Sequence, residues 1–598
     1  MKKIKVGPAF GDSFYETHKL NKYKNHLGFD KLSPRIYLIL ASVLVIVALF
    51  IVRLFYLEVI KSSYYKILSD NNRTRTQIIH APRGIIFDRY GNPLVYNMPG
   101  FREKNGNKTI FLTSSQVVSK LVNDKNLSID SLRFYPYKDA LAHIVGYVGQ
   151  ISPSELLDPQ FSGYGSDAVI GKMGIEQFYD KNLRGVDGKK LIEVDASGNY
   201  VKTLGETDPI SGQNINLTID KNLQEKVYNL MKNVKGSAIV STPNGQILAM
   251  VSTPSFDPNL FTLGSSYKTS DSTYKNVTSI INDSKNQPLL NRSIGGVYPP
   301  GSTFKLVVAA TALQNNVIDS SYTIDDKGII KIGNFSFSNW YYSQYGRTDG
   351  IVDVTKAIQR SNDIFFYEVG HLVGVNNLSK GASKFGLGKP LGIDLLGEAS
   401  GFLPTSSWKE ATFGQPWYLG DDYHYGIGQG YLLVTPLQVN AWTQAIANGG
   451  TLYRPYLNLD LKPHILASNL LNSTNFNLIR TGMVEACNPG GVAYPLYNYE
   501  FPLINAKRPI AVDGKNFFIP ANASESANLK NDIGVSIACK TGTAQQGNAA
   551  ALPHAWLTLF APAYNPQVVV TVLVESSGEG STIAGPIAKD ILDAYFEK

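Results

Sequence analysis

The sequence predicts an α+β protein of several parts, attached to a membrane by one helix. An uncharged run of 17 residues, Ile36 to Val52, lies near the N-terminus. Strand and turn patterns follow it, and from Gly236 onward predicted strands and helices alternate. Strands at both ends of this last region, with a helical run between them, indicate one antiparallel sheet and a helical subdomain.

Length and composition are those of a globular chain with two or more domains. The chain has 598 residues, of which 43% are hydrophobic, so it can bury a large core. The formal net charge is +8, and residues 1–35 contain eight Lys or Arg against three acidic residues. The small remaining excess is spread over the rest of the chain and does not indicate nucleic-acid binding.

The apolar run predicts a transmembrane helix over residues 36–57, after a basic cytoplasmic tail over residues 1–35. At about 1.5 Å per residue these positions span roughly 33 Å, enough to cross the hydrocarbon core of a bilayer. Basic residues on the N-terminal side place that end in the cytoplasm and the bulk of the chain outside. A cleaved signal peptide is the alternative, but the run is long and no Ala-x-Ala-like site follows it.

The chain contains two cysteines, Cys487 and Cys539. This number suits an extracytoplasmic protein that does not rely on a disulfide framework. Cys539 directly precedes Lys540, and we expect it to be a small core residue of a strand rather than a nucleophile. No grouping of His, Cys and carboxylate residues has metal-ligand spacing, so the sequence predicts no metal site.

The most informative chemical pattern begins at Tyr298 and reads Tyr-Pro-Pro-Gly-Ser-Thr-Phe-Lys, ending at Lys305. Its prolines and glycine stop a helix from entering on the N-terminal side, so Ser302 is expected on the first turn of a new helix. Unpaired N–H groups and the helix dipole can stabilise negative charge there. Lys305 shares that face, and apolar neighbours disfavour its charged form, so it is a candidate base for the Ser302 hydroxyl.

Ser-x-x-Lys alone is a weak pattern, because the chain contains at least three others. None of them follows a Pro-Pro-Gly break before an apolar helix, and we expect all three to be solvated surface pairs. They are Ser63/Lys66, Ser272/Lys275 and Ser406/Lys409.

Two companion motifs follow Ser302 in an informative order. Ser361-Asn362-Asp363 precedes an aromatic and apolar stretch, and Lys540-Thr541-Gly542-Thr543 follows a stretch that predicts the end of a strand. Ser-x-x-Lys, then Ser-x-Asn or Ser-x-Asp, then Lys-Thr-Gly is the combination of penicillin-binding proteins and class A β-lactamases. The three motifs together are specific, although each alone is weak.

With these motifs the chain resembles the class B penicillin-binding proteins, the monofunctional peptidoglycan D,D-transpeptidases. The resemblance extends over most of the chain, and Asp363 followed by Phe365-Phe366-Tyr367 is similar to the elongation-type penicillin-binding protein 2. Division-type relatives more usually have Asn at the position of Asp363. The flanking segments that share the resemblance are residues 83–89, 143–149, 174–176, 217–220, 427–430 and 435–438.

The resemblance implies two extracytoplasmic domains. Residues 236–598 are expected to form a penicillin-binding transpeptidase domain with the serine β-lactamase-like fold. Residues 58–235 are expected to form a non-catalytic pedestal of the dimerisation type, with a salt-bridged structural turn at Arg83–Arg89. Between Asn97 and Phe134 the usual head segment is much shortened, so partner contacts that relatives make through it are not carried over to this chain.

Strand patterns locate the sheet of the transpeptidase region. Residues 238–250 predict a hairpin with an Asn-Gly turn, Trp556–Ala561 and Val568–Val574 predict strands, and Ile587–Phe596 predicts a closing helix. The active site is expected where the Ser302 helix, the Ser361 loop and the Lys540 strand converge.

The resemblance also implies a serine acyl-enzyme mechanism. Ser302 attacks the carbonyl of the penultimate D-alanine of a stem peptide, with neutral Lys305 as the base, and D-alanine leaves. Ser361 relays a proton to the leaving amine, and Asp363 tunes Lys305 or orients the substrate. A stem-peptide amine of a neighbouring strand then takes the acyl group, and no cofactor is needed.

The remaining motif residues are expected to bind the substrate. Lys540, Thr541, Gly542 and Thr543 would hold the terminal carboxylate and its backbone. The backbone N–H groups of Ser302 and Thr543 would form an oxyanion hole.

Some of these residues also have structural interpretations. Ser361 is a candidate helix N-cap, alone or in addition to a catalytic role, and Asp363 is an ordinary residue for the exposed first turn of a helix. Arg480-Thr481-Gly482 looks like a second Lys-Thr-Gly motif, but it follows a helical stretch and is interpreted as a decoy.

Three other functions are less well supported. A β-lactamase or D,D-carboxypeptidase uses the same motifs, but no Glu-x-x-Leu-Asn is present to activate a deacylating water, and hydrolysis requires neither pedestal nor anchor. A β-lactam sensor needs cytoplasmic signalling domains, for which residues 1–35 are too few. A catalytically silent scaffold of the cell-wall synthesis complex conflicts with the intact motifs.

The resemblance implies the partners and the location as well. Peptidoglycan stem peptides, β-lactam antibiotics, the membrane and other elongation-complex proteins are the expected partners. Nothing indicates a glycosyltransferase domain, so strand polymerisation is expected from a membrane partner, by analogy a SEDS-family glycosyltransferase. The chain is expected to cross the bacterial inner membrane once, with its catalytic domain extracytoplasmic.

Overall fold

The computed structural model describes residues 34–105, 108–113, 117, 127–195, 197, 199–264, 267–501, 510–512, 515–517, 533–547 and 551–597. The predicted basic tail lies almost wholly outside these residues. The chain divides into two compact units, one of residues 1–77 with 190–206 and one of residues 78–189 with 207–598.

The helices, in chain order, are α1 (Pro34–Phe55), α2 (Ser62–Arg73), α3 (Ala142–Val145), α4 (Gly174–Phe178), α5 (Asp180–Arg184), α6 (Lys221–Met231), α7 (Asn259–Thr262), α8 (Val277–Ile281), α9 (Lys305–Gln314), α10 (Trp340–Tyr345), α11 (Val354–Arg360), α12 (Asp363–Val373), α13 (Val375–Lys384), α14 (Ser406–Phe413), α15 (Leu419–Gly426), α16 (Pro436–Ala447), α17 (Ser473–Ala486) and α18 (Gly585–Phe596).

The strands are β1 (Thr74–Ile79), β2 (Ile86–Phe87), β3 (Pro93–Asn105), β4 (Lys108–Thr113), β5 (Leu127–Phe134), β6 (Val148–Gln150), β7 (Val169–Gly171), β8 (Gly188–Val194), β9 (Tyr200–Thr207), β10 (Ile215–Asn216), β11 (Gly236–Ser241), β12 (Ile247–Thr253), β13 (Ile324–Asp326), β14 (Ile329–Ile332), β15 (Phe335–Ser338), β16 (Gly350–Val352), β17 (Leu452–Tyr453), β18 (Ile465–Ala467), β19 (Glu500–Phe501), β20 (Ile510–Val512), β21 (Lys515–Phe517), β22 (Ile533–Gly534), β23 (Ala538–Ala544), β24 (His554–Ala561) and β25 (Val568–Val574).

The first unit begins with the apolar helix. α1 continues through a π-turn at Tyr56–Ile60, which gives 27 helical residues, enough by length and composition to cross a membrane. Its large hydrophobic side chains are exposed, as on a helix that faces lipid. The predicted segment 36–57 falls within this helix, which is consistent with a membrane anchor. The unit also contains α2 and most of a three-stranded sheet in the order β1-β8-β9.

In the second unit, the part before β11 is built around β3. β3 pairs antiparallel with β2, β4 and β5, and β10 joins β2 in parallel. Apart from the single helical residue Val117, the residues between Asn97 and Phe134 that the structure describes therefore belong to this sheet. The shortened head stays a prediction, since several residues of that segment lie outside the described part of the chain.

A buried ionic network holds this part together. Arg83, just before β2, donates from Nε to Glu176 (2.9 Å) and from Nη1 to Asp180 (2.9 Å). Arg133 on β5 donates to the other Glu176 oxygen (2.6 Å). Glu176 is 0% exposed and pairs with two guanidinium groups, so the salt-bridged, structural role predicted for the Arg83–Arg89 motif is confirmed at Arg83.

The part from β11 onward contains a five-stranded antiparallel sheet in the order β12-β11-β25-β24-β23. Side chains alternate between its faces. On one face Ile239, Trp556 and Leu573 belong to a core shared with α9 and α16. On the other face the alternate residues pack with α6 and α18. The predicted hairpin, both later strands and the closing helix are confirmed.

The two cysteines form a disulfide, which the sequence analysis did not predict. Cys539 in β23 is fully buried, as expected for a small core residue. It is bonded to Cys487, which directly follows α17, with their Cα atoms 5.9 Å apart, a separation typical of disulfides. The pair connects the helical subdomain to the edge strand that contains Lys540.

The expectation that three Ser-x-x-Lys pairs are solvated is correct only for Ser63/Lys66. Ser272 is 3% exposed and donates to Asp139 (2.8 Å). Lys409 is also 3% exposed, pairs with Asp421 and has its Nζ 4.5 Å from the centre of the Tyr418 ring. Tertiary partners bury these side chains, and spacing along the chain gives no information about such partners.

The buried ionic network generates a prediction for stability. Glu176→Ala leaves the buried Arg133 guanidinium without its carboxylate and leaves Arg83 with Asp180 alone, so the free energy of unfolding should fall by roughly 3–5 kcal/mol. Glu597→Ala is the matched control, because it removes the partner of Lys226 in a surface pair whose side chains are 44% and 45% exposed. It should cost less than about 1 kcal/mol. Urea unfolding measures both, and equal losses would contradict the prediction.

Candidate active site

Ser302 lies in a 3₁₀ turn, Gly301–Thr303, that leads directly into α9. The sequence therefore predicted its position at a helix start correctly, although the turn is 3₁₀ rather than α. Gly301 has φ +54°, and a Cβ there would lie 2.9 Å from the Thr543 carbonyl oxygen. Glycine at this position allows the turn to pack closely against β23.

Lys305, the first residue of α9, is fully buried. Its Nζ donates to Asp363 Oδ1 (2.6 Å) and to the Ser361 carbonyl oxygen (2.7 Å), and it lies 3.4 Å from Ser361 Oγ. Burial lowers the pKa of Lys305, and the Asp363 carboxylate opposes this effect only in part. Burial thus shifts the Lys305 pKa in the direction that a base requires.

The Ser361–Asp363 turn joins α11 to α12. Ser361 has a left-handed backbone, with φ +52°, and the N-cap of α12 is Asn362, whose Oδ1 accepts from Phe365 N (2.9 Å). The hypothesis that Ser361 is the N-cap is therefore wrong, because the left-handed turn directs Ser361 to the two lysines instead. Asp363 is the first residue of α12. It is 8% exposed and paired with Lys305, unlike an ordinary surface residue of a first turn.

The Lys540–Thr543 motif lies on β23, the edge strand of the sheet. Lys540 is fully buried and donates from Nζ to Ser361 Oγ (2.8 Å). Burial lowers its pKa strongly, and the positive charge of Lys305 adds to the effect. A Cβ at Gly542 would lie 3.0 Å from the Pro300 carbonyl oxygen, so glycine keeps β23 close to the Ser302 turn.

The predicted residues meet at one cleft. Its volume is about 1060 Å³, and its lining includes Ser302, Ser361, Asp363 and Thr541–Thr543. Lys305 and Lys540 are buried beside this lining, with the Ser361 hydroxyl between their Nζ atoms. Among the residues that the structure describes, no group of three or more His, Cys, Asp or Glu is arranged to hold a metal ion.

The cleft also contains residues that sequence reasoning did not single out. The backbone N–H of Trp340 donates to Asp363 Oδ2 (2.9 Å), and Gln429 Nε2 donates to the Thr543 carbonyl oxygen (3.3 Å). Gln429 belongs to a segment that supported the family resemblance, so that segment could have indicated it. Trp340 lies outside the motifs identified in the sequence. The other lining residues include Gln344, Tyr367, His424, His554 and Glu579.

Comparison with known proteins identifies the class. Residues 236–593 match the family described as "Penicillin binding protein transpeptidase domain", and residues 124–217 match "Penicillin-binding Protein dimerisation domain". The chain belongs to the penicillin-binding protein transpeptidase family.

Individual relatives narrow the identification. The peptidoglycan D,D-transpeptidase MrdA of Haemophilus influenzae is 30% identical, over 93% of this chain and 90% of that protein. Penicillin-binding protein 2 of Helicobacter pylori, solved in complex with MreC, is 28% identical over 87% of this chain and 98% of that chain, with a TM-score of 0.69. Pseudomonas aeruginosa PBP2, in complex with WCK 5153, is 32% identical over 87% and 96%, with a TM-score of 0.64.

Within the family the chain is a class B protein most like penicillin-binding protein 2. The expected fold is confirmed, with a transpeptidase domain, a pedestal domain and one N-terminal apolar helix. Its activity is that of a serine-type peptidoglycan D,D-transpeptidase.

The Lys305–Asp363 contact generates a prediction for protonation. A nearby negative charge favours the charged amine, so Asp363→Asn should lower the Lys305 pKa further, by about one unit or more. NMR titration of lysine side chains in labelled protein, with Lys305 assigned by substitution, measures this value. Asp325→Asn, at an exposed carboxylate of β13, should leave it unchanged. An unaltered pKa in Asp363→Asn would contradict the assignment of Asp363 as the charge partner.

Proposed function

We propose that this chain crosslinks peptidoglycan stem peptides during cell elongation, through an acyl-enzyme on Ser302. The observation that supports these site assignments best is the placement of the Ser361 hydroxyl between two buried lysines, at a cleft that Ser302 also lines. A hydroxyl so placed can pass a proton from one amine toward a substrate atom.

The acylation step uses Lys305 as base. The Ser302 oxygen bonds to the carbonyl carbon of the penultimate D-alanine while its proton moves to Lys305 Nζ. The peptide C–N bond then breaks, the leaving amine takes a proton through Ser361, and free D-alanine departs. The burial that lowers the Lys305 pKa supports this assignment, because only the neutral amine accepts a proton.

Asp363 acts on the base rather than on the substrate. One of its oxygens accepts a hydrogen bond from Lys305 and the other accepts one from the backbone N–H of Trp340, so both oxygens already have a donor. Of the two roles that the sequence left open for Asp363, this geometry favours tuning of Lys305 over orientation of substrate.

Substrate binding is assigned to β23. Lys540, Thr541 and Thr543 hold the terminal carboxylate, and the N–H groups of Ser302 and Thr543 form the oxyanion hole. β23 is the last strand of its sheet, so an extended stem peptide can lie along its outer edge. A neighbouring stem-peptide amine then attacks the acyl-enzyme carbonyl, which restores Ser302 and forms the crosslink.

The proposal includes the setting of the enzyme. Residues 58–235 serve as the pedestal and residues 236–598 as the catalytic domain, with the N-terminus in the cytoplasm and the active site outside the inner membrane. Partners are elongation-complex proteins, among them a protein like the MreC bound by the H. pylori relative. A SEDS-family glycosyltransferase supplies the glycan strands, since the assigned domains contain only the transpeptidase activity.

A labelled penicillin tests the nucleophile. Intact-mass measurement and peptide mapping should find a long-lived adduct on Ser302 in the wild-type protein and none in Ser302→Ala. Ser343→Ala is the matched control, because Ser343 is an exposed serine of the same cleft, and it should keep the adduct.

The same experiment separates the alternatives. Rapid turnover of the adduct would favour a serine hydrolase of the β-lactamase type. A well-folded wild-type protein that forms no adduct would contradict the catalytic assignment and favour a silent scaffold.

A further inference from the structure

Asp326, at the end of β13, is 2% exposed and lies outside the motifs that define the family. Its Oδ1 accepts from Gly328 N (2.7 Å). Its Oδ2 accepts from the side-chain amides of Asn339 (2.8 Å) and Asn362 (2.8 Å) and from Asp349 N (3.0 Å). N–H donors thus stabilise this buried carboxylate, and among the described residues no cation forms an ion pair with it.

Two of these donors connect Asp326 to the active-site turn. Asn362 is the middle residue of that turn, and Asp326 holds its amide directly. Asn339 is the second connection, since its Oδ1 accepts from the backbone N–H of Asp363 (3.1 Å). Both asparagines are fully buried, so each amide has its orientation fixed by the groups around it.

The same connection determines what contacts the Asp363 carboxylate. Trp340 directly follows Asn339, and its backbone N–H donates to Asp363 Oδ2 (2.9 Å). Through Asn339, Asp326 therefore affects two hydrogen bonds of Asp363. One is donated by its backbone N–H to Asn339, and the other is accepted by its carboxylate from the Trp340 backbone N–H. A second carboxylate supports the turn from this side: Asp349 accepts from the Asn362 side chain (3.0 Å) and forms an ion pair with Arg360 Nε (2.9 Å).

We infer that Asp326 is a positioning residue for acylation, which holds Asn339 and Asn362 so that Asp363 faces Lys305 and the Ser361 hydroxyl lies between the two lysines. This inference rests on the proposed function of Ser302 and Lys305. Asp326 contacts neither of them, and it is not part of the cleft lining.

A displaced Asp363 has a measurable consequence at Lys305. The groups that face Lys305 Nζ are Asp363 and Ser361 on the turn, the Phe366 ring on α12 (5.5 Å from the Nζ) and the Lys540 amine from β23. Of these, only Asp363 favours the charged amine by its charge. When Asp363 moves away, burial is no longer opposed by its charge, and the Lys305 pKa falls.

The experiment measures the rate constant for acylation of Ser302 by a labelled penicillin as a function of pH, in full-length protein in detergent. Asp326→Asn keeps the size of the side chain, removes its charge and places an N–H₂ group against N–H donors. A misplacement of catalytic groups by about 1 Å can cost roughly a hundredfold, so a decrease of at least about tenfold is expected. The rise of the rate with pH reports deprotonation of Lys305, and its midpoint should move to lower pH by up to about one unit.

Asp325→Asn is the matched control. It removes the neighbouring carboxylate of the same strand, which is exposed, and both the rate and the midpoint should match those of the wild type. The pH midpoint distinguishes positioning from a merely structural role, because a partly unfolded protein loses amplitude without changing the pKa of its folded fraction.

Each outcome decides the inference. A folded Asp326→Asn with the wild-type rate would overturn it, and so would a slow variant whose midpoint does not move. If Asp326→Asn fails to fold, Asn339→Ala decides by the same two criteria, because it removes only the connection to Asp363. Failure of the proposed function is distinct, since the wild-type protein would then form no adduct on Ser302.

Discussion

The active site depends on the burial of two ammonium groups around one hydroxyl. Lys305 and Lys540 are both fully buried, and each lies within reach of Ser361 Oγ. Taking two like charges out of water is costly, and among the described residues it is Lys305 that has an ion-pair partner, Asp363. The result is a pair of amines whose pKa values are lowered by burial, and this is the condition under which a lysine can serve as a base near neutral pH.

Close backbone packing brings these groups together from distant parts of the chain. The Ser302 turn, the Ser361 turn and β23 come from three separate segments. A Cβ at Gly301 would approach the Thr543 carbonyl, and a Cβ at Gly428 would lie 2.2 Å from the Gly301 carbonyl oxygen. Glycines therefore allow the Ser302 turn to approach β23 and the loop at Gly428 more closely than other residues would permit. The sheet and the buried helix α9 then fix the segments in place.

The sequence predicted the parts of this arrangement that have local causes. The Pro-Pro-Gly break located the Ser302 turn, and alternation located the strands of the sheet. Other features were not predicted from the sequence. The burial of Lys409 and the bond between Cys487 and Cys539 depend on tertiary contacts, which spacing along the chain does not describe. The cap at Asn362 instead of Ser361 is a local contact, but Ser and Asn are similarly good N-caps, so residue type did not distinguish these neighbours.

This geometry explains the effect of the acidic residue Asp363 at the third position of the Ser361–Asp363 motif. A neutral Asn at this position could accept a hydrogen bond from Lys305, but it would not favour the charged amine. Asp363 does, and its second oxygen is held by the Trp340 N–H, so the carboxylate is fixed toward the base. The protonation of Lys305 thus reflects a balance between burial and one oriented charge. Because a buried network orients that charge, residues that never contact the substrate can influence how readily Ser302 is activated.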